Sequence, residues 1–183
     1  MKGMSQMNNA DNRDNLYDNP YPCYPNAPMY NPNFWNQPNP NYGIGYSDLI
    51  QLKDYGPEPF VVNIDQAAKQ NTNFRTALWT GRHLQLTLMS INVGEEIGLE
   101  MHPDVDQFIR VEQGHGLVKM GDNDCRLDFQ RYVYDDYVIF IPAEKWHNLI
   151  NLGNIPLKLY SIYAPPEHPH GAIHVVKPEN RHQ

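Results

Sequence analysis

The chain has 183 residues, a formal net charge of -7 and a sequence pI near 5.5. That is enough for one good core plus a tail rather than two full domains. The acidic balance lacks the basic stripe that phosphate neutralisation needs, so a nucleic-acid surface is excluded and a small-molecule partner is favoured. Two cysteines, Cys23 and Cys125, fall in regions of different composition, which argues against a disulfide framework and against a cysteine zinc site. The start of the chain has no apolar run of the length that a signal peptide or membrane span requires, so we expect a cytoplasmic protein with no membrane partner.

Residues 1–46 are dense in Asn, Pro and Tyr, including Pro20, Pro22, Pro25, Pro28, Pro32, Pro38 and Pro40. Closely spaced prolines remove backbone donors and push the preceding residue towards extended geometry, so neither helix nor central strand can run through them. We expect a flexible tail. Its tyrosines, with Phe34 and Trp35, leave open a docking arm or a place in an assembly such as a spore coat.

From 47 to 74 the composition changes to a lead-in segment. It holds a short element around Asp48–Lys53, an apolar run Phe60–Ile64 that reads as a strand, and a short helix over Asp65–Asn71 with Asp65 as N-cap. From 75 to 165 the chain reads as strands: Leu84–Leu88, Val105–Val111, Leu117–Met120, Arg131–Tyr134, Val138–Ile141, His147–Leu152 and Leu157–Tyr163. Turn signals at Asn92–Gly94, Gln113–Gly116, Gly121–Asp124 and Asn151–Asn154 separate them at the spacing of an antiparallel barrel or sandwich. No helical stretch long enough for a crossover lies between them, which excludes a parallel α/β sheet. Residues 166–183 form a His/Pro-rich C-terminal tail, whose prolines suggest that His168, His170 and His174 are exposed.

Two stretches carry chemistry. In Gly94–Gly114, Glu100 and His102 are two apart and share a face, and Gln107 can meet them after a turn; Pro142–Asn151 supplies His147. If these side chains face a barrel interior, Met101 and Phe108 face outward, and an outward apolar row suggests a homodimer. His115 sits at a hairpin tip and His83 precedes an alternating run, so both read as surface positions. No phosphate loop, nucleophile elbow or His-Glu-x-x-His helix is present.

Together the stretches resemble the two motifs of the cupin superfamily over roughly residues 75–165. Gly94, Glu100-x-His102, Gln107 and Gly114 hold the spacing of the first, and Pro142, His147 and Asn151 that of the second. The Tyr-x-Pro-Pro-x-His-Pro-His-Gly run from Tyr163 resembles the C-terminal ends of small single-domain cupins labelled mannose-6-phosphate isomerase-like. The resemblance implies an all-β fold, a double-stranded β-helix or RmlC-like jelly-roll barrel. Glu100 stands for the usual first His, Gln107 for the usual Glu, and Asp136 and Glu144 for two turn glycines. Asp tolerates turn conformations, and Glu144 is expected to avoid a strict positive φ.

By position, the resemblance implies Glu100, His102, Gln107 and His147 as ligands of a divalent metal such as Mn, Fe, Co, Ni or Zn. The expected activity is a metal-dependent isomerisation or related proton shift on a small polar, sugar-like molecule, with Glu100 as ligand or base and Tyr137 as a second catalytic candidate. Two other readings stay open. One is a non-haem iron dioxygenase built on the two-His-one-carboxylate set, and the other is a non-catalytic binding or coat-layer protein. The bland alternative for the four side chains is a polar cluster in a barrel that has lost its metal.

Overall fold

The computed structural model describes residues 49–178, which belong to one compact unit. The expected tail over 1–46, and Asp48, lie outside the described residues. No helix among the described residues is long and apolar enough to cross a membrane.

One helix, α1 (Ile64–Gln70), precedes nine strands: β1 (Arg75–Thr80), β2 (Gln85–Ile91), β3 (Asp106–Gln113), β4 (Gly116–Gly121), β5 (Phe129–Val133), β6 (Val138–Ile141), β7 (Trp146–Asn151), β8 (Leu157–Ala164) and β9 (Ile173–His174). They form a six-stranded sheet ordered β6-β3-β8-β2-β1-β9 and a three-stranded sheet ordered β5-β4-β7. Every named strand pairing is antiparallel. The antiparallel all-β fold expected from the turn spacing is the one observed, and its two sheets are those of the jelly roll that the resemblance implies.

The core lies between the two sheets. Met89 and Ile91 of β2, Ile109 and Val111 of β3, and Leu157 and Leu159 of β8 face Val118 of β4, Val133 of β5 and Leu149 of β7. Each of these strands sends alternate residues inward, as the pleat requires. Their outward residues meet a smaller cluster, in which Ala67 and Ala68 of α1 pack on Leu78 and Leu88 with Ile50, Tyr55 and Phe60 around them.

Three local expectations are corrected. The helix begins one residue before Asp65, and its N-cap is Asn63, whose side chain accepts from the Gln66 N–H at 3.1 Å; Asp65 lies inside the first turn and pairs with Lys69 at 2.5 Å. Phe60–Asn63 has no strand partner: Phe60 and Val62 pack against the helix-side cluster, while Val61 points to solvent. Glu144 does adopt a left-handed backbone, φ 67°, as does Asp136 at φ 68°. Both occupy places where the motif spacing puts glycine. At Glu144 the turn aims a backbone N–H at the carbonyl of His102, 2.8 Å away, so the strained residue braces one motif against the other.

The C-terminal segment is also tied down rather than free. Gln85, fully buried, accepts from the His168 N–H at 2.9 Å and donates to the His168 carbonyl at 2.8 Å, and its amide also reaches Thr80 Oγ1 at 2.9 Å. Asp54, from the lead-in, accepts from Thr80 Oγ1 at 2.5 Å, from the Gly56 N–H at 3.0 Å and from the Gly171 N–H at 2.9 Å. These bonds strap residues 165–174 across one end of the barrel, where Ile173 and His174 then pair with β1 as β9. His168 and His174 are consequently half-buried, and of the three tail histidines it is His170 that is exposed.

A left-handed non-glycine residue costs about 1–2 kcal/mol, partly offset by the greater entropy that glycine loses on folding. Glu144→Gly should therefore leave stability unchanged or raise it by up to ~1 kcal/mol, while Glu144→Val should lower it by about 1–2 kcal/mol. Urea denaturation of the two variants checks this, and a Val variant as stable as the Gly variant would remove the strain argument.

Candidate metal centre

Glu100 and His147 are paired directly by the backbone. The Glu100 N–H donates to the His147 carbonyl at 3.0 Å, and the His147 N–H donates to the Glu100 carbonyl at 2.9 Å. This closed antiparallel pair welds the first motif to β7. Two residues on from Glu100, the His102 carbonyl takes the Glu144 bond. Below the pair, Asn148 accepts from the Gly98 N–H at 3.1 Å and donates to Glu96 at 2.8 Å. Asn151, buried at the far end of β7, donates to the carbonyls of Ile91 and Ile155 and accepts from the Gly153 N–H. That asparagine is structural: it satisfies three backbone groups at a bend.

The side chains converge. Glu100 Oε1 lies 3.4 Å from His147 Nε2 and 3.7 Å from His102 Nε2, and the three residues can each offer a ligand atom within 4.8 Å of the others. His147 is 1% exposed and His102 8%. Gln107 is buried on the inner face of β3, and its Nε2 donates to Ser161 Oγ at 2.9 Å, which leaves Oε1 free. Four buried atoms thus have no hydrogen-bond partner: Glu100 Oε1, His102 Nε2, Gln107 Oε1 and His147 Nε2. Orphaned buried polar atoms are costly, and here they are one lone-pair donor from each of the four residues that the sequence singled out.

The imidazoles are also set in one tautomer. His147 Nδ1 faces the Lys145 carbonyl at 2.8 Å, and His102 Nδ1 faces Glu167 Oε1 at 3.3 Å. Both acceptors favour a proton on Nδ1 and a lone pair on Nε2, which is the pattern of metal-binding histidines held by an outer carbonyl or carboxylate. Donor set, tautomers and orphaned atoms fit a divalent cation.

Electrostatics agree with a charged carboxylate at the centre. Burial pushes the Glu100 carboxyl up, but His102, His147 and Arg75 together hold it well below the usual carboxylate range. Burial pulls His102 down, and Glu100 with Glu167 more than offsets it, so its pKa is raised. His168 moves the other way: burial and the Arg75 charge lower it to about 3, so it is neutral near pH 7.

Tyr137 is not brought to this centre. It lies half-exposed at the turn before β6, edge-on to Tyr134, whose ring stacks in turn on His115. Its carbonyl is held by the Val111 N–H, four residues along β3 from Gln107, or about 13 Å at ~3.3 Å per residue. The left-handed turn at Asp136 directs it outside. Arg110 is outward too, as its parity with Gln107 requires, and pairs with Asp136 at 2.7 Å. Phe108 faces outward between Phe140 and Tyr160. Glu167 is a neighbour of the candidate site that the sequence did not disclose, because nothing local to its proline-flanked stretch connects it to His102.

Residues 87–163 match the Cupin domain family. The chain is 56% identical over 178 residues to the uncharacterized protein YrkC of Bacillus subtilis (strain 168), an alignment that covers 88% of this chain and 96% of that one. The chain belongs to the cupin family. The uncharacterized protein L612 of Acanthamoeba polyphaga mimivirus is 40% identical over 122 residues, covering 66% of this chain and 74% of its own length. The crystal structure of BH2720 from Bacillus halodurans superposes with a TM-score of 0.68 at 65% identity, over 68% of this chain and 95% of that one. As a cupin, the chain keeps the motif spacing, with Glu100 and Gln107 at positions where the family's motif commonly has His and Glu.

Removing the outer carboxylate with Glu167→Ala should weaken metal affinity about 10- to 100-fold with the fold intact, whereas His102→Ala should abolish stoichiometric binding. Competition with a chromophoric chelator measures both. Two histidines also set the pH profile of the metal-free protein. His168, depressed in the folded state, stabilises fully above about pH 6.5 and loses that contribution as pH falls towards 3. His102, raised, stabilises fully below about pH 6.5 and loses its contribution as pH rises through its folded value. Thermal unfolding of metal-free protein should therefore be most resistant near pH 6.5, and His168→Gln should flatten the acid side alone.

Proposed function

We propose that this cupin is a divalent-metal-dependent enzyme that acts on a small oxygen-rich molecule, a sugar or sugar acid, by isomerisation or a related proton shift. The observation that supports it is the set of four orphaned donors, Glu100 Oε1, His102 Nε2, Gln107 Oε1 and His147 Nε2, buried at the mouth of a barrel with a polar interior around them. When bound, the metal supplies a Lewis acid for a carbonyl or hydroxyl oxygen.

The protein's own part is division of labour. Glu100 is ionised and shared between two imidazoles, so it serves as a ligand and is poorly suited to removing a proton from carbon. His147 and His102 hold their lone pairs inward because Lys145 and Glu167 occupy their other nitrogens. Gln107, fixed by Ser161, adds a neutral oxygen where a carboxylate would lower the positive charge available to substrate. The apolar core below the site shields it from bulk water, which strengthens each of these interactions.

A second reading is favoured by one feature: Glu100, His102 and His147 form a two-His-one-carboxylate set, which suits iron and oxygen chemistry. Oxygen uptake separates the two. Metal-loaded protein should convert a phosphosugar or an unsaturated uronate under anaerobic conditions, and chelation or His102→Ala should remove the activity by at least 100-fold. Turnover that requires oxygen would replace the isomerase reading with the dioxygenase, and protein purified without stoichiometric metal would sink both.

A further inference from the structure

Next to the metal cup lies a second group of orphaned polar atoms that the ligand set leaves unused. Arg75 Nε, Thr87 Oγ1, Tyr163 OH, His168 Nε2 and His174 Nδ1 are all buried without a hydrogen-bond partner. Arg75 is 5% exposed, and Thr87 and Tyr163 are fully buried. No carboxylate lies within ion-pairing distance of the guanidinium among the described residues; its Nη2 reaches the Met89 sulfur at 3.9 Å, and the group lies over the Phe74 ring, 5.5 Å from its centroid. The Glu100 carboxylate feels the Arg75 charge but does not pair with it directly, and a buried guanidinium with no bonded anion is costly.

These atoms lie together at one end of the barrel interior. Arg75 is opposite Met89 on β2 and opposite His174 on β9, so its side chain shares the inner face with Thr87, two residues along β2. Tyr163 is opposite Gln85 on one side and Gln107 on the other. Successive rings run from the metal cup to the strap: His147 to His102 at 5.5 Å, His102 to Tyr163 at 5.8 Å, Tyr163 to His168 at 5.0 Å and His168 to His174 at 6.4 Å. The Gln85 clamp fixes His168 at the end of that row. Arg75, Glu167, His168 and His174 all lie outside residues 87–163, the stretch that matches the family.

The sign of the charge selects the ligand class. A guanidinium among the imidazoles repels a second cation, and Arg, Tyr OH, Thr OH and imidazole N–H are all donors to an oxyanion. With a divalent cation in the cup, Arg75, Glu100 and Glu167 leave one net positive charge, the counterpart of one carboxylate. We infer that Arg75, Tyr163, Thr87, His168 and His174 form an anion subsite that takes the carboxylate of the substrate, so that the enzyme acts on a small carboxylic acid whose neighbouring oxygen faces the metal. The inference rests on the metal reading for the second half of that statement only; the anion subsite stands on Arg75 and its neighbours.

The test uses full-length protein, metal-stripped and metal-loaded, with acetate and glycolate as probes and acetamide and glycolamide as neutral controls. Calorimetry should show acetate binding to both forms, glycolate binding more tightly to the metal-loaded form, and each amide at least tenfold weaker than its acid. Arg75→Gln should weaken both acids at least tenfold while metal content is unchanged. Should that variant fail to fold, Tyr163→Phe and Thr87→Val keep the buried shape, and each should weaken acetate about threefold or more. Amides that bind as well as the acids, absence of binding to either form, or unaltered affinity in the folded variants would overturn the subsite. Protein that takes up no stoichiometric metal yet binds acetate in an Arg75-dependent way would overturn the metal reading and leave the subsite standing.

Discussion

The closed pair of backbone bonds between Glu100 and His147 is the constraint on which the rest of the site depends. Glu100 lies in an irregular stretch between β2 and β3, and that segment has no strand of its own to set its direction. Exchanging both hydrogen bonds with His147 fixes its position to that of a residue in a sheet, and the sheet in turn rests on the apolar core. Because the two side chains are then cross-strand neighbours, carboxylate and imidazole meet without long, flexible reach. His102 follows by period two, and the bond from Glu144 holds its carbonyl. The centre is thus built from backbone geometry first and side-chain chemistry second.

The same strands do two jobs along their length. On β2 the inner row passes from Ile91 and Met89 to Thr87 and Gln85; on β8 it passes from Leu157 and Leu159 to Ser161 and Tyr163; on β3 it passes from Val111 and Ile109 to Gln107. One end of the barrel interior is apolar and the other is polar, with no break in the pleat between them. Each buried Leu, Ile or Met side chain contributes about 1.5–3 kcal/mol, and that apolar end offsets the cost of orphaned polar atoms at the other. A strand whose alternation changes composition midway is therefore the sequence-level mark of a supported cavity.

Much of this was legible. Seven of the nine strands stand out by alternation and turn signals, and the motif spacing brings Glu100, His102, Gln107 and His147 into one interior. What was not legible has physical causes. Strand β1 is buried on both faces over Arg75–Leu78 and carries a register shift between Ala77 and Trp79, so Arg-Thr-Ala-Leu-Trp-Thr shows no alternation. Strand β9 has two residues and exists because Gln85 and Asp54 hold the strap, contacts 83 and 117 residues away in the chain. The prolines of that segment correctly forbid helix and central strand, but they say nothing about burial by distant partners. Tyr137 was drawn towards the site by residue type, and the left-handed Asp136 turns it away.

The strap joins the two halves of the chemistry. It brings Glu167 to His102 Nδ1, and it carries His168 and His174, whose buried nitrogens have no hydrogen-bond partner. Arg75 itself is carried by β1, the strand that β9 pairs with, so closing the strap and positioning the guanidinium are one folding event. Gln85 makes that event specific: its amide satisfies both the N–H and the carbonyl of His168, a match that a one-residue slip would break. Loosening the strap would therefore disturb ligand orientation and anion binding together, although neither Gln85 nor Asp54 contributes a donor to the metal cup. In this barrel the four candidate donors come from within the motif stretches, while Arg75, Glu167, His168 and His174 come from the segments that close around them.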